Sequence, residues 1–171
     1  METWDAIRAR RNVRRFAEAP IEPAQLDQIL EAARRTPSSR NWQPWDLVVV
    51  TDREQLQRLA TVWVGAGHVA GSAATIALLA PLHDGEREQQ LVQYDLGQLT
   101  MSIMIAAADL GIGSGHSAVG DQELARDLLG FPEDRFCASL VALGHPAERP
   151  LTPLKRIDRR PFEEVVHRGR W

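Results

Sequence analysis

Cysteine is almost absent from the sequence, and long apolar segments are missing. The 171 residues contain one cysteine, Cys137, so no internal disulfide can form and nothing favours an oxidising compartment. The N-terminal "METWDAIRARR" has no apolar core of the kind that a secretory signal requires. The most apolar stretch, "MSIMIAAADLGIG", is too short to span a bilayer. These absences predict a cytoplasmic protein that does not contact membranes.

Several common catalytic motifs are absent as well. The glycine-rich segment "GIGSGHSAVG", residues 111–120, follows a predicted helix and lacks the G-x-G-x-x-G spacing of dinucleotide-binding folds. Its last glycine precedes Asp121 and not the lysine of a Walker loop. No G-x-S-x-G occurs, and the five histidines are scattered without H-E-x-x-H spacing. We therefore predict no metal site, and we expect a cofactor to carry the chemistry if the protein is an enzyme.

The overall composition is that of an ordinary folded protein. Hydrophobic residues make up 44% of the chain and charged residues 25%, which argues against disorder and against a fibrous protein. The length suits one domain, and we see no reason to divide residues 1–171. The formal net charge of -3 does not favour a general attraction to polyphosphates, so any anion site must be local.

Hydrophobic periodicity predicts helices and strands that are intermixed along the chain. Helices are predicted at residues 3–10, 23–35, 52–63, 88–110 and 121–132, and strands at residues 46–51, 72–81 and 136–144. The second half of the longest helix is apolar nearly all round, which marks a helix at the centre of the domain or at a subunit interface. Residues 111–120 are predicted to form a loop, and the chain from His145 to run extended over a surface. This pattern favours an α+β fold.

The densest local charge is the arginine cluster "RARRNVRRF", residues 8–16. In an extended backbone alternate side chains point to the same side, so Arg10, Asn12 and Arg14 face one way. Two guanidinium groups and an amide suit a phosphate monoester, because arginine binds phosphate oxygens through paired, charge-assisted hydrogen bonds. A solvated basic edge or an arginine-rich arm for nucleic acid fits the same residues. A second basic cluster, "KRIDRRP" at 155–161, could complete the phosphate clamp or form a charged tail.

The loop "TPSSRNWQPW" carries neutral polar side chains between two prolines and two tryptophans. Ser38, Ser39, Asn41 and Gln43 supply hydrogen-bond donors and acceptors without charge. Such a set suits a planar, hydrogen-bonding heterocycle better than an anion. The loop alone would indicate little, and it gains meaning from its place between the other segments.

Five segments, in this order, resemble the nitroreductase family of FMN-dependent oxidoreductases over nearly the whole chain. They are "RRNVRRF", "PSSRNWQPW", "VVVTDREQLQRLA", "DLGQLTMSIMIAAADLGIGS" and "ALGHPAERP...RRPFEEVVH". The resemblance implies a central, mostly antiparallel sheet flanked by helices, in an intertwined homodimer. It further implies that residues 145–171, the arm, cross onto the partner subunit and that two FMN sites lie at the interface.

The resemblance also implies which residues bind FMN. The phosphate would be held by residues of the two basic clusters: Arg10, Arg11 through its backbone, Asn12, Arg14, Arg156 and Arg159. The flavin would be approached from the partner subunit by the polar loop residues: Ser38, Ser39, Asn41 and Gln43. A backbone amide beside flavin N5 would come from the segment after the central helix: His116, Ser117, Ala118 and Val119. Trp42 either walls the substrate pocket or packs at the dimer interface.

The implied activity is a ping-pong oxidoreduction, in which NADH or NADPH reduces FMN and a nitroaromatic, a quinone or a similar small oxidant takes the electrons. Relatives of this fold also carry out dehalogenation, flavin fragmentation or dehydrogenation, or bind deazaflavins, and a non-catalytic flavin carrier is a further alternative. Nucleic acid binding is disfavoured by the acidic balance outside the two basic clusters. Two departures from the family pattern bear on the site. Asn12 stands where serine is commoner, and the linker "LHDGEREQQ" is short enough to leave the substrate pocket open.

Overall fold

A four-stranded antiparallel sheet with helices on both faces forms the centre of the fold. The computed structural model describes residues 1–154 and 158–171. In chain order the helices and strands are α1 (Thr3–Ala9), α2 (Pro23–Arg34), β1 (Asp46–Val50), α3 (Arg53–Leu59), β2 (Ala74–Pro81), α4 (Glu86–Asp109), β3 (Gly113–Ser117), α5 (Gln122–Leu129) and β4 (Arg135–Gly144). Short 3-10 helices lie at Ser39–Asn41, Gly67–Gly71 and Phe162–Glu164. The predicted α+β fold, with an antiparallel sheet between helices, is confirmed.

Strand β2 lies inside the sheet, whose strand order is β1-β2-β4-β3 with every neighbouring pair antiparallel. Ile76 of β2 lies opposite Val49 of β1 and Val141 of β4. Successive residues of a strand point to opposite faces, so a strand buried on both faces is apolar throughout. Ile76 therefore packs in one cluster with α2 and α4, whereas Ala77 packs in another with α3 and α5. The core consists of two apolar layers, one on each face of the sheet.

The first turns of α3 and α5 are fixed by local capping residues. Helix α3 begins after Asp52, whose carboxylate accepts a hydrogen bond from the Gln55 backbone N–H at 2.8 Å. Helix α5 begins after Asp121, which accepts from the Leu124 N–H at 2.9 Å. Gly130 ends α5 with a φ of 72°, in the left-handed region that glycine adopts without strain. These caps explain why both helices could be placed from the sequence.

The prediction of a loop at residues 111–120 is wrong for the central residues, which form strand β3. Each of the five residues of β3 pairs with β4. The N-terminal segment crosses β3 so closely that only glycine fits, since a Cβ at Gly115 would lie 2.3 Å from the carbonyl oxygen of Val13. The sequence "GSGHS" has no β-branched or aromatic residue, so it carries no local strand signal. Pairing with β4 decides its conformation.

The first part of the arm, residues 145–154, runs beside the extended N-terminal segment. The Ala147 backbone N–H donates to the carbonyl oxygen of Arg15 at 3.0 Å. Residues 158–171 lie on the surface of this chain. Their apolar side chains are exposed: Phe162, Val165, Val166 and Trp171. Within residues 1–154 and 158–171, no helix has the length and apolar character that crossing a membrane requires.

Candidate functional site

The arginine cluster lies on the extended segment that follows α1. Arg10 caps the helix with φ −58° and ψ 125°, so the backbone leaves the helical conformation at this residue. The Val13 N–H then donates to the carbonyl oxygen of Ser114 at 2.8 Å, which fixes the segment across β3. An extended backbone is the condition under which Arg10, Asn12 and Arg14 point to the same side.

Two arginines of the cluster hold the arm against the N-terminal segment. Arg11 Nη2 donates to the carbonyl oxygens of Arg149 at 2.7 Å and Pro150 at 3.3 Å. Arg15 Nη1 lies 3.2 Å from a carboxylate oxygen of Glu148. Burial lowers the pKa of Arg11, and the positive charge of Arg149 lowers it further. The Arg11 guanidinium is thus bonded to the arm. The backbone of Arg11, and not this side chain, is predicted from the sequence to contact phosphate.

The remaining predicted phosphate ligands line two cavities. Arg10 and Arg159 lie on the wall of a cavity of about 460 Å³, which has mostly apolar neighbours: Trp4, Ile7, Met101, Ile105 and Leu154. Asn12 and Arg14 line a groove of about 220 Å³ between the N-terminal segment and the arm. The structure therefore places Arg10 and Arg159 on one cavity of this chain, and Asn12 and Arg14 on another. Arg156 lies outside the described residues.

The polar loop forms a tight turn that contains three left-handed residues. Arg40, Asn41 and Gln43 have φ values of 54°, 56° and 53°, a region that residues with a Cβ rarely adopt. The Gln43 N–H donates to Ser38 Oγ at 2.8 Å, and Gln43 Nε2 donates to the Asn41 carbonyl oxygen at 3.1 Å. The turn brings Ser38, Ser39, Asn41 and Gln43 together, with Asn41 and Gln43 exposed.

A buried carboxylate, missed from the sequence, fastens this loop to α4. Asp95 is fully buried, and its two oxygens accept from the Ser39 backbone N–H at 3.1 and 3.0 Å. Ser39 Oγ and Gln98 Nε2 donate to the same carboxylate at 3.3 and 3.2 Å. A signal was present, because Asp95 stands on the buried face of α4 between Val92 and Leu99.

Trp42 connects the polar loop to the short linker before α4. Its ring lies against that of His83, with ring centroids 5.1 Å apart and an interplanar angle of 55°. Trp42 is 43% exposed, so much of the indole remains open to solvent. Trp42, which is proposed to line the substrate pocket, is therefore in contact with the linker before α4. The shortness of this linker was predicted to leave the pocket open.

The segment predicted to lie beside the flavin, residues 116–119, comprises the end of β3 and the turn after it. The backbone N–H groups of Gly120 and Asp121 both donate to the carbonyl oxygen of Val62, at 3.0 and 2.9 Å, which fixes the turn. Ser117 Oγ is buried and has no hydrogen-bond partner among the described residues. Buried hydroxyl groups are rarely left unpaired, so this atom is suited to bonding a ligand.

Two further side chains beside these segments were not predicted. The indole of Trp63 packs on Gly120, where an added Cβ would lie 2.4 Å from a ring carbon. His68 Nε2 lies 3.1 Å from the carbonyl oxygen of Gly115 on β3. Neither residue has a local sequence signal, since both are brought to the site by contacts between distant parts of the chain.

The single thiol is not suited to catalysis. Burial raises the pKa of Cys137 to about 12, because a thiolate is poorly solvated in apolar surroundings. The thiolate is the nucleophilic form of cysteine, and a thiol of such high pKa does not supply it near neutral pH. The Gln122 side chain accepts from the Cys137 backbone N–H at 2.9 Å and donates to its carbonyl oxygen at 2.8 Å. Cys137 therefore has a structural role, in the packing of β4 against the start of α5.

Known proteins resemble this chain in both sequence and fold. Residues 7–77 match the sequence model of the nitroreductase family. A protein of Archaeoglobus fulgidus, provisionally named NADH dehydrogenase/NAD(P)H nitroreductase, is 31% identical and covers 99% of this chain and 99% of its own length. The chain belongs to the nitroreductase family.

Two further members of the family are similar over nearly the whole chain. A Bacillus subtilis protein, whose name is FMN reductase (NAD(P)H), is 30% identical over 97% of this chain and 73% of its own length. The structure of an FMN-dependent nitroreductase from Clostridium difficile has a TM-score of 0.84 at 21% identity, and covers 97% of this chain and 98% of that chain. The latter likeness shows that the fold is the family's fold.

The residues of this chain fit an FMN molecule in their chemistry. Arg10 and Arg159 line one cavity, and arginine side chains suit a phosphate. The turn at residues 38–43 presents neutral donors and acceptors, which suit a flavin ring. The unpaired Ser117 Oγ offers one further hydrogen bond.

Proposed function

We propose that this chain is an FMN-dependent oxidoreductase that takes electrons from NADH or NADPH and reduces nitroaromatics, quinones or similar small oxidants. The names of its relatives support this, since one includes NAD(P)H nitroreductase and another FMN reductase. In the structure, the proposal depends on the cavity that Arg10 shares with Arg159. Arginine guanidinium groups suit the recognition of a phosphate monoester, because they bind its oxygens through paired, charge-assisted hydrogen bonds.

The two basic clusters are proposed to bind the phosphate of FMN. Arg10 and Arg159 contribute charge-assisted hydrogen bonds from the larger cavity. Asn12 and Arg14 line the separate groove beside the arm, and they are proposed for the same phosphate from the family resemblance. Arg11 contributes its backbone, because its guanidinium already bonds the arm. Arg156 is proposed for the same group and lies outside the described residues.

Two other segments are proposed to contact the flavin ring. The turn of the partner subunit presents four neutral side chains: Ser38, Ser39, Asn41 and Gln43. Residues 116–119 would lie by the reactive edge of the ring, where a backbone amide near Ala118 or Val119 would support the reduced flavin. FMN, when bound, supplies the centre that accepts a hydride and returns electrons to an oxidant. The side chains of this protein therefore bind, orient and exclude water.

The functional form is proposed to be a cytoplasmic homodimer of the single domain, residues 1–171. Apolar side chains exposed on one chain support this. On α1 and α4 they are Trp4, Ile7, Leu91, Tyr94 and Met101. On the arm, residues 145–171, they are Phe162, Val165, Val166 and Trp171. An arm that crosses onto a partner would cover such surfaces, which are unfavourable in water.

The substrate is proposed to be small and flat. The exposed indole of Trp42 offers a surface on which an aromatic or quinone ring can stack. Only residues 82–85 separate β2 from α4, so little chain is available there to cover the pocket.

An absorbance spectrum of the purified protein tests the function. We expect an oxidised-flavin spectrum that is bleached by NADH or NADPH without oxygen and restored by a quinone. Heat-released cofactor should behave as FMN. A colourless protein that takes up no added FMN would overturn the proposal.

A further inference from the structure

The turn at residues 38–43 combines a strained backbone with internal hydrogen bonds from Gln43 to Ser38 and Asn41. Arg40, Asn41 and Gln43 are left-handed, and side chains with a Cβ are disfavoured there. A cluster of such residues persists only where surrounding contacts hold it in place. Contacts from other parts of the fold are therefore needed to hold this turn.

The turn lacks a local cap. Ser39–Asn41 is one turn of 3-10 helix, and the first N–H groups of any helix have no partner within it. The preceding residue, Ser38, makes no side-chain cap, because its hydroxyl accepts from the Gln43 N–H instead. The N–H of Ser39 needs an acceptor from elsewhere in the fold.

Asp95 supplies that acceptor from 56 positions along the chain. Both carboxylate oxygens bond the Ser39 N–H, and Ser39 Oγ and Gln98 Nε2 also donate to them. Within residues 1–154 and 158–171, Asp95 forms no ion pair. The described donors to this fully buried carboxylate are thus the turn and its own helix. A buried polar group must be hydrogen-bonded, so the Asp95 side chain and the turn each need the other.

We propose that Asp95 is a positioning residue that fixes the 38–43 turn, so that Asn41 and Gln43 are held ready for the flavin ring. Asp95 itself touches no cofactor. The inference rests on the proposed function for the part that concerns FMN. The role of Asp95 in fixing the turn rests only on its hydrogen bonds to Ser39.

The test replaces Asp95→Asn, which keeps the shape of the side chain but leaves a single acceptor oxygen. The new NH2 group must then face the N–H of Ser39 or the NH2 of Gln98, and donors do not bond donors. We expect amide hydrogen exchange at Ser39 to accelerate about tenfold or more, and the FMN dissociation constant of the apoprotein to rise about tenfold. Both measurements use the full chain at a temperature at which circular dichroism shows it to be folded.

Two controls separate positioning from general destabilisation. Asp109→Asn makes the same chemical change on the same helix, at a carboxylate that pairs with the N-terminal amine of Met1 at 2.6 Å. Leu56→Ala removes a buried side chain from the layer beside α3 and lowers stability without touching the turn. Both should retain wild-type exchange at Ser39 and wild-type FMN affinity.

Several outcomes would contradict the inference. Unchanged exchange at Ser39 would show that Asp95 does not hold the turn. Faster exchange with unchanged FMN affinity, or an equal loss of affinity in Leu56→Ala, would show that the turn is not positioned for FMN. If the wild type takes up no FMN, the proposed function fails, while exchange at Ser39 still decides the role of Asp95. If Asp95→Asn does not fold, Asp95→Ser provides the same measurements with a smaller acceptor.

Discussion

The indole of Trp42 lies against the imidazole of His83, with ring centroids 5.1 Å apart and ring planes inclined by 55°. One ring belongs to the turn proposed to contact the flavin, and the other to the linker between β2 and α4. The contact holds a half-exposed indole beside the four residues, 82–85, that separate β2 from α4. Trp42 is therefore a natural candidate for selecting substrates.

Replacing Trp42 by alanine should raise KM for a planar nitroaromatic about two- to tenfold, because an aromatic stacking contact contributes about 0.5–1.5 kcal/mol. His83→Ala should raise KM less, since it removes only the support of the indole. Steady-state kinetics with one nitroaromatic and one aliphatic oxidant checks this, the aliphatic oxidant serving as control. An unchanged KM together with a dissociated dimer would place Trp42 at the interface instead.

The parts of the fold that could be predicted are those with local causes. Asp52 and Asp121 cap helices through bonds to residues three positions later, and such spacing is visible in the sequence. Strand β3 could not be predicted, because its glycines are explained by a backbone crossing from Val13 and by pairing with β4. Local propensity is a weak guide wherever tertiary contacts decide the conformation.

The candidate site likewise contains features that the sequence indicates locally and features that depend on tertiary contacts. The segments that contain Arg10 and Ser38 are proposed from their composition and from the family resemblance, and the segment that contains Ser117 from the resemblance alone. The cavity shared by Arg10 and Arg159 and the bonds from Asp95 to the turn join residues that are far apart in sequence. A single sequence does not encode such pairs locally, so only the folded chain shows which side chains meet.

Replacing both Arg10 and Arg14 by alanine should empty the FMN site and leave a folded protein. A hydrogen bond to a charged group contributes about 1.5–3 kcal/mol, so each loss should weaken FMN binding about ten- to a hundredfold. FMN absorbance per chain and titration of the apoprotein measure this. Arg34→Ala is the matched control, because Arg34 is an exposed arginine that pairs with Glu31 on α2. FMN retained at normal affinity would mean that the phosphate lies elsewhere.

Replacing Gly115 by alanine should lower the free energy of unfolding by about 1–3 kcal/mol, the usual effect of overpacking. The added Cβ would lie 2.3 Å from the Val13 carbonyl oxygen, so the N-terminal segment must shift away from β3. Urea denaturation measures the effect. Gly67→Ala is the control, because nothing lies within 4 Å of its added Cβ. Equal stability of the two variants would refute the close crossing.

Alkaline pH should destabilise the protein through Cys137. Burial raises the pKa of this thiol from 9.0 to about 12 in the folded chain. Between these values the unfolded chain releases the thiol proton while the folded chain keeps it, so rising pH favours unfolding. The free energy of unfolding should therefore fall by at most about 1.4 kcal/mol for each pH unit above 9.

The contribution of Cys137 is isolated by comparison with Cys137→Ala, which lacks the thiol and keeps the other titrating side chains. Between pH 8 and pH 10 the wild type should lose about 1.4 kcal/mol more stability in urea than the variant does. Below pH 8 the two pH profiles should run parallel, because the thiol is protonated in both the folded and the unfolded chain. Parallel profiles up to pH 10 would show that the thiol is solvated in the folded protein and that β4 does not bury it.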